Sequence, residues 1–104
     1  MNTILNLDEY SKNTELTFGG KSYTLPPITY KTRNELMDIF ESISKSEDEE
    51  SKKNADLTLI VTYLNTNLNQ AVFTVEELAP IMNAYQSTAL TQFIINQIRG
   101  IEKN

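Results

Sequence analysis

Cysteine and histidine are both absent from this 104-residue sequence. The lack of cysteine excludes disulfides, thiolate zinc sites and cysteine nucleophiles, and it fits a reducing cytoplasm. The lack of histidine removes the most common general base and the most common metal ligand. Carboxylates and lysines are then the main candidate catalytic side chains, so the composition argues against an enzyme.

A surplus of positive charge and long apolar runs are also missing. The chain has 9 lysines and arginines against 14 aspartates and glutamates, and its formal net charge is −5. Because nonspecific binding to phosphate backbones depends on lysine and arginine, we expect no nucleic-acid partner. No apolar run approaches the roughly 20 residues that span a membrane, and residues 1–13 lack the basic segment of a signal peptide. We therefore expect no membrane partner either.

The length and the hydrophobic content of 39% are typical of a single globular domain, residues 1–104. Residues 1–13 are mostly polar and form a predicted N-terminal arm. Residues 15–25, ELTFGGKSYTL, alternate in polarity around Gly19-Gly20, and glycine supplies the positive φ that a two-residue hairpin turn requires. We therefore predict a β-hairpin here. Its apolar face would consist of Leu16, Phe18, Tyr23 and Leu25.

The segment after the hairpin predicts the first helix, at residues 30–45. Pro26-Pro27 ends the second strand, because proline cannot donate to the ladder. Thr32 and Glu35 have the spacing of a capping box, and Thr29 is a competing cap one turn earlier. The apolar stripe of this helix follows helical spacing. It consists of Leu36, Ile39, Phe40 and Ile43.

Three further helices are predicted. The asparagine-rich residues 65–70 close the second helix, and Thr74 with Glu77 forms another capping box. Because proline is tolerated only in the first turn of a helix, Pro80 predicts a kink or restart in the third. Gly100 is the predicted C-cap of the last helix. Within the helical part, residues 30–100, these helices cover residues 55–68, 75–83 and 86–99.

Together these elements predict an α+β fold that is mostly α. The N-terminal β-hairpin would pack on a bundle of about four helices. An isolated hairpin is marginally stable in water, so its apolar face has to pack against the rest of the chain.

Two short motifs resemble parts of functional sites but lack the full pattern. The polar linker 44–54 contains four consecutive acids at residues 47–50, a candidate cation site. Its spacing lacks the glycine and alternating ligands of a calcium loop, and the alternative is a solvated loop. Gly19-Gly20-Lys21-Ser22 matches only the end of a phosphate-binding loop, which needs GxxxxGK[ST] between a strand and a helix. We predict no metal, no cofactor and no enzymatic activity.

The last predicted helix has more apolar surface than one core requires. Its apolar residues, Ile101 included, cover nearly half of the circumference, whereas a helix packed on one core needs a stripe of roughly 100°. Either this is the central helix of the monomer, or part of it forms a partner or subunit interface together with residues of the first two helices. The candidate interface residues are Met37, Leu59, Tyr63, Leu90, Ile94, Ile95 and Ile98.

The order of the motifs is similar to that of a known family. Residues 15–29, ELTFGGKSYTLPPIT, join a GGKxYxL hairpin to a PPxT turn, and residues 73–78, FTVEEL, form a capping box before the final apolar helix. An acidic linker and an apolar helix with an asparagine-rich end lie between them. Over residues 14–100 this order resembles the tail assembly chaperones of long-tailed bacteriophages, the short products encoded before the tape-measure protein.

The resemblance implies a function, a partner and a location. The protein would bind the tape-measure protein through hydrophobic helix–helix contacts and keep it soluble while the tail tube assembles. It would form a homo-oligomer, a ring or a spiral, in the host bacterial cytoplasm and would be absent from the mature virion. The family often includes a longer form made by a −1 frameshift. Residues 102–104, Glu-Lys-Asn, permit a slippery codon run for it, which the gene sequence would decide.

Two other functions remain open at this point. The chain could be a structural tail or head–tail joining component, which would be found in purified particles by mass spectrometry. It could also be a regulatory adaptor of a prophage that shares only the fold class. For the oligomer, we expect the outer edge of the hairpin to be free to pair with a strand of a neighbouring copy, which Thr24→Pro would block.

Overall fold

The computed structural model describes residues 4–45, 47, 49 and 54–100, and the elements follow the predicted order. A single 3₁₀ turn, Leu7–Tyr10, precedes the strands β1 (Thr14–Phe18) and β2 (Lys21–Leu25). In the described part of the chain the helices are α1 (Tyr30–Lys45), α2 (Ala55–Leu64), α3 (Val75–Leu78) and α4 (Ala84–Arg99). The fold is α+β and mostly helical, with an N-terminal hairpin and four helices, as predicted.

The turn between β1 and β2 depends on its two glycines. Gly19 and Gly20 have φ values of 61° and 78°, in a region that residues with a Cβ atom rarely adopt. The two strands are antiparallel, and their register places Leu16 opposite Tyr23. The predicted hairpin is therefore confirmed, and its apolar residues share one face.

That face packs on the helices. Leu25 is fully buried in the core, and Leu16 and Phe18 pack against the core from β1. The ring of Tyr23 meets the ring of Phe73 edge-on, with 5.3 Å between the centroids. The hairpin thus closes one side of the core, and burial of its apolar face supplies the stability that a two-stranded sheet lacks by itself.

Threonines cap two of the helices. The Oγ1 atom of Thr29 accepts a hydrogen bond from the backbone N–H of Thr32 at 3.2 Å, so α1 begins one turn before the predicted Thr32–Glu35 capping box. That box is wrong and the competing cap is correct, because Thr29 allows the helix to start immediately after the prolines. Thr74 accepts a hydrogen bond from the N–H of Glu77 at 3.2 Å and caps α3 as predicted.

Helix α2 lies at the centre of the core. It contacts both α1 and α4, and four of its side chains are buried, namely Leu59, Ile60, Tyr63 and Leu64. Helix α4 contributes one buried side chain, Ile94. The interpretation of the last helix as the central one is therefore wrong. A central helix is covered by neighbours on two sides and therefore buries apolar side chains on more than one face. In this structure that helix is α2.

Tyr63 makes the stability of this core sensitive to alkaline pH. Burial raises the pKa of Tyr63, and hydrogen bonding with the Thr14 side chain opposes this to a smaller degree. Above pH ~10 the unfolded chain ionises this tyrosine while the folded chain keeps it neutral, so the free energy of unfolding falls by up to ~1.4 kcal/mol per pH unit. Below that pH the contribution of Tyr63 is fully present. Urea unfolding of wild type and Tyr63→Phe from pH 8 to 11 should show a shallower decline for the variant; equal slopes would contradict the prediction.

Asn67 organises the loop that ends α2, residues 65–71, which we call the asparagine loop. Its Oδ1 atom accepts hydrogen bonds from the N–H groups of Asn69 at 2.9 Å and Ala71 at 3.0 Å. Its Nδ2 atom donates to the carbonyls of Leu64 and Ala71, both at 2.8 Å. This loop stops α2 at Leu64, so the predicted end at residue 68 is wrong by a turn. Hydrogen bonds of the Asn67 side chain take the place of the backbone bonds of the predicted last helical turn, residues 65–68.

The same loop holds the hairpin and the segment before α3. Asn65 bonds both backbone groups of Phe73 through its side chain, at 2.8 Å to the N–H and 3.1 Å to the carbonyl. The N–H of Thr24 donates to Asn69 Oδ1 at 2.7 Å, and its carbonyl accepts from the N–H of Leu68 at 2.8 Å. The outer edge of β2 is therefore covered at Thr24. The expectation of a free edge is wrong at this position of the strand, and Thr24→Pro would break contacts inside one chain.

Helices α3 and α4 are separated by a turn. Helix α3 ends at Leu78, and Pro80 lies in the turn that follows, so the break is confirmed while the predicted extent of 75–83 is too long. Asn83 and Gln86 form a reciprocal capping box that starts α4, a signal that the sequence analysis missed. Gly100 is the C-cap with a φ of 69°, as predicted.

Some predictions lie outside the described residues. They concern Asp48 and Glu50 of the acidic run in the linker 44–54, Ile101, and the possible frameshift site at residues 102–104. Within the described ranges, none of the helices is long and apolar enough to cross a membrane.

Candidate functional site

Three of the predicted interface residues lie in the core. Leu59, Tyr63 and Ile94 are 2%, 1% and 0% exposed. The prediction of a partner surface is wrong for these three, because α2 is covered by α1 on one side and by α4 on the other. Their side chains contact other parts of the same chain and are not available to a partner.

Three others line an open cleft between α1 and α4. Met37, Ile95 and Ile98 surround a cavity of about 240 Å³, together with Phe40. Glu41 and Arg99 lie at its rim. We call this the α1–α4 cleft. The structure therefore brings together three of the predicted interface residues from two helices. It adds Phe40, which also packs against the core as its stripe predicted.

Arg33 holds the two walls of this cleft in place. Its Nε atom donates to the backbone carbonyl of Ile98 at 3.0 Å, across from α1 to the last turn of α4. Its guanidinium also lies over the ring of Tyr30, 5.7 Å from the centroid. A cation at a helix C-terminus satisfies a carbonyl that has no partner within the helix. Arg33 precedes Met37 by one turn of α1, so this bond sets the spacing of the walls next to the cleft.

The second cavity lies between β1 and the first half of α4. It has a volume of about 360 Å³, and its wall includes Leu90, the seventh predicted interface residue. We call it the hairpin groove. Its main apolar lining consists of Leu16, Phe18, Tyr23, Phe73, Leu90 and Phe93. The sequence pattern did not reveal this groove, because its walls come from elements about 70 residues apart that only the tertiary structure brings together.

The two cavities explain the surplus apolar surface of α4. At 100° per residue, Leu90 and Phe93 lie within about 60° of each other, whereas Ile95 is about 160° away from Phe93. Ile94, between these directions, is the residue that enters the core. Helix α4 is therefore apolar on three sides because it faces the hairpin groove, the core and the α1–α4 cleft.

The chemistry of both cavities is that of apolar contact. Among the described residues that line the hairpin groove, Glu15 alone is charged. Within the residues that the structure describes, no group of three or more acidic side chains is placed to hold a metal ion. Open apolar cavities with few polar groups are suited to burying the apolar side chains of a partner.

The chain was also compared with known proteins. No family model, curated protein or solved structure matches it. The order of the sequence motifs and the geometry of the two cavities are therefore the two features of this chain that point to a function.

Proposed function

We propose that this protein is a tail assembly chaperone of a long-tailed bacteriophage. It acts in the host bacterial cytoplasm without enzymatic activity, binds the tape-measure protein and keeps it soluble during tail assembly. It self-associates into a ring or spiral, together with any frameshifted longer form of itself, and leaves before the virion is complete. The order of the motifs supports this proposal, and the α1–α4 cleft is the observation that carries it.

The cleft offers a seat for one face of a helix. Two helices that are joined at one end by the Arg33–Ile98 hydrogen bond leave a groove between them, and a third helix can lie along it. Apolar side chains of a guest helix at i and i+3 or i+4 would contact Phe40, Ile95 and Ile98. Met37 adapts to different guests, because its side chain is flexible and polarizable.

The size of the cleft suits reversible binding. A cavity of about 240 Å³ receives only a few side chains, far less than the contact of a permanent complex. A chaperone that must release its partner when the tail tube closes needs this kind of weak contact. Many copies along a long helical partner then provide avidity without tight individual sites.

The test is co-expression with the product of the long downstream gene, followed by pull-down and sizing chromatography. We expect a soluble co-complex, and we expect the long protein to aggregate when expressed alone. A long protein that is soluble alone and does not bind this chain would overturn the proposed function. Purified particles should lack the chain; its stoichiometric presence would instead support a structural tail or head–tail joining component.

A cleft variant tests the binding site. Met37→Glu with Ile95→Glu should reduce recovery of the co-complex by about 100-fold or more, since each change removes an apolar contact and places a charge against the guest. Neither residue belongs to the set that packs on the core, so the fold should persist by circular dichroism. The matched control is Val72→Glu with Ile81→Glu, which changes exposed apolar residues outside both cavities. Full binding by the cleft variant would reject the cleft but leave the function standing.

A further inference from the structure

Apolar side chains of the N-terminal arm are left uncovered. Ile4, Leu5 and Leu7 are 87%, 71% and 68% exposed. Single apolar residues that are scattered over a surface need no explanation. These three lie within four consecutive positions, so their joint exposure does need one. The hairpin groove, which begins at Thr14 a few residues later, is an open apolar cavity of the same chain. The molecule therefore has an uncovered apolar segment and an uncovered apolar groove.

The outer edge of β1 borders that groove and is unpaired. The described sheet has two strands, and β1 pairs only with β2. Because Phe18 and Lys21 close the hairpin, the backbone groups of Glu15 and Thr17 point away from β2. The equivalent outward groups of β2 are covered at Thr24 by the asparagine loop. No described residue bonds to the outward backbone groups of β1, whereas those of β2 are covered at Thr24, so β1 has the more open edge.

We propose that residues 4–7 of a second copy dock in the hairpin groove along the outer edge of β1. The apolar side chains of the arm would enter the groove, and its backbone would add a strand to the sheet. This contact specifies the self-association within the proposed function, and it uses none of the α1–α4 cleft. It is heterologous, since the arm of one copy meets the groove of the next. Such a contact forms a ring if the rotation closes and an open spiral if it does not.

Charge and length both favour this segment. Residues 4–7, Ile-Leu-Asn-Leu, carry no charged side chain, whereas Asp8 and Glu9 follow directly. The Glu15 carboxylate accepts a hydrogen bond from the Thr24 hydroxyl at 2.9 Å on the other face of the hairpin, where it would repel an acid placed beside it on an added strand and would favour docking of the uncharged part. Residues 4–7 in extended form span roughly 13 Å, most of the roughly 17 Å of a five-residue strand.

A second copy is a better source of this arm than the same chain. Residues 11–13 alone join the 3₁₀ turn to β1. A hairpin turn within these three residues would place Glu9 beside Glu15 and would carry residues 4–6 to Phe18 or beyond, away from most of β1. The arm of a neighbour needs no such turn. The 3₁₀ turn at Leu7–Tyr10 has no buried residue, so its rearrangement would remove no residue from the core.

Crosslinking tests the contact directly. The chain contains no cysteine, so one introduced cysteine per chain makes every crosslink intermolecular. Differently tagged Leu7→Cys and Ala89→Cys chains are mixed and treated with a short bis-maleimide; Ala89 lines the groove and is exposed. We expect a mixed dimer at least ten times more abundant than with Ala79→Cys, an exposed alanine outside the groove. Equal yields for the two alanine positions would overturn the proposal.

Sizing chromatography gives an independent measurement. Combined Ile4→Ser, Leu5→Ser and Leu7→Ser should raise the dissociation constant of the oligomer at least 100-fold, without loss of helical circular dichroism. Combined Leu68→Ser, Val72→Ser and Ile81→Ser changes three other exposed apolar residues and should leave it unchanged. A monomeric wild type, or an arm variant that assembles normally, would overturn the proposal. Pull-down of the tape-measure protein by the same variants reports the proposed function separately.

Discussion

Replacing Ile94 with alanine should lower the free energy of unfolding by about 3–4 kcal/mol, the middle of the range of roughly 2–5 kcal/mol for isoleucine-to-alanine changes in a close-packed core. Ile94 is fully buried and is the residue through which α4 enters the core. The change removes apolar surface and leaves a cavity between α4 and α2, which neighbouring side chains fill only in part. Urea denaturation followed by circular dichroism provides the measurement.

The next residue is the matched control. Ile95→Ala makes the same chemical change, but Ile95 lines the open α1–α4 cleft. Since its side chain is already partly in contact with water, the loss should be about 1 kcal/mol or less. Similar losses at the two positions would mean that the assignment of core and cleft faces on α4 is incorrect. The assignment of the binding site depends on that distinction.

Asn67→Ala should cost about 3 kcal/mol, an unusual loss for a loop residue. The side chain makes four hydrogen bonds with backbone groups, at 2.8 to 3.0 Å, and its removal leaves partly buried donors and acceptors unpaired. The amide groups of Asn69 and Ala71 should also exchange their hydrogens faster, because they lose their acceptor. Unfolding curves and hydrogen exchange measure the two effects.

Two variants locate the source of this effect. Asn67→Asp has the same shape and keeps the acceptor oxygen, but it loses the two donated bonds and places a charge near the carbonyls of Leu64 and Ala71. It should therefore also destabilise the fold by about 2 kcal/mol. Asn69→Ala removes one bond, to Thr24, and should cost about 1 kcal/mol. An Asn67→Ala loss below about 0.5 kcal/mol would show that water replaces these bonds.

The asparagine loop also links the proposed binding surfaces to the stability of the fold. It fixes the end of α2, covers the edge of β2 and positions Phe73, which lines the hairpin groove. Loss of Asn67 should therefore disturb the groove more than the α1–α4 cleft, whose walls are joined by Arg33. Different contacts therefore hold the two cavities in place: the Arg33–Ile98 hydrogen bond at the α1–α4 cleft and the asparagine loop at the hairpin groove. A variant can then weaken self-association without weakening partner binding.

Local signals in the sequence determined where most elements begin and end. The Gly19-Gly20 turn, the bounds of α1 and the Gly100 cap were predicted correctly, because each depends on the conformational preferences of a few adjacent residues. Errors arose where side chains compete for backbone groups. Helix α2 ends earlier than predicted because the Asn67 side chain bonds four backbone groups of the loop. The sequence does not show those bonds, since they form only when the loop is folded.

The candidate site was only partly predictable. Met37, Ile95 and Ile98 were expected at an interface and do lie together in the α1–α4 cleft. Leu59 and Ile94 were expected there too but are buried, because periodicity shows that a face is apolar without showing what covers it. The hairpin groove could not be predicted, since its walls are distant in the sequence.

The sequence by itself determined the fold class, the hairpin, the helices and the absence of cysteine and histidine chemistry, since these follow from residue identity and local spacing. The tertiary structure alone decided which apolar faces are covered. It placed α2 between α1 and α4, turned three predicted interface residues into core, and left two open cavities on opposite sides of α4. The physical reason is that burial of an apolar side chain depends on its neighbours in space, and these come from distant parts of the chain.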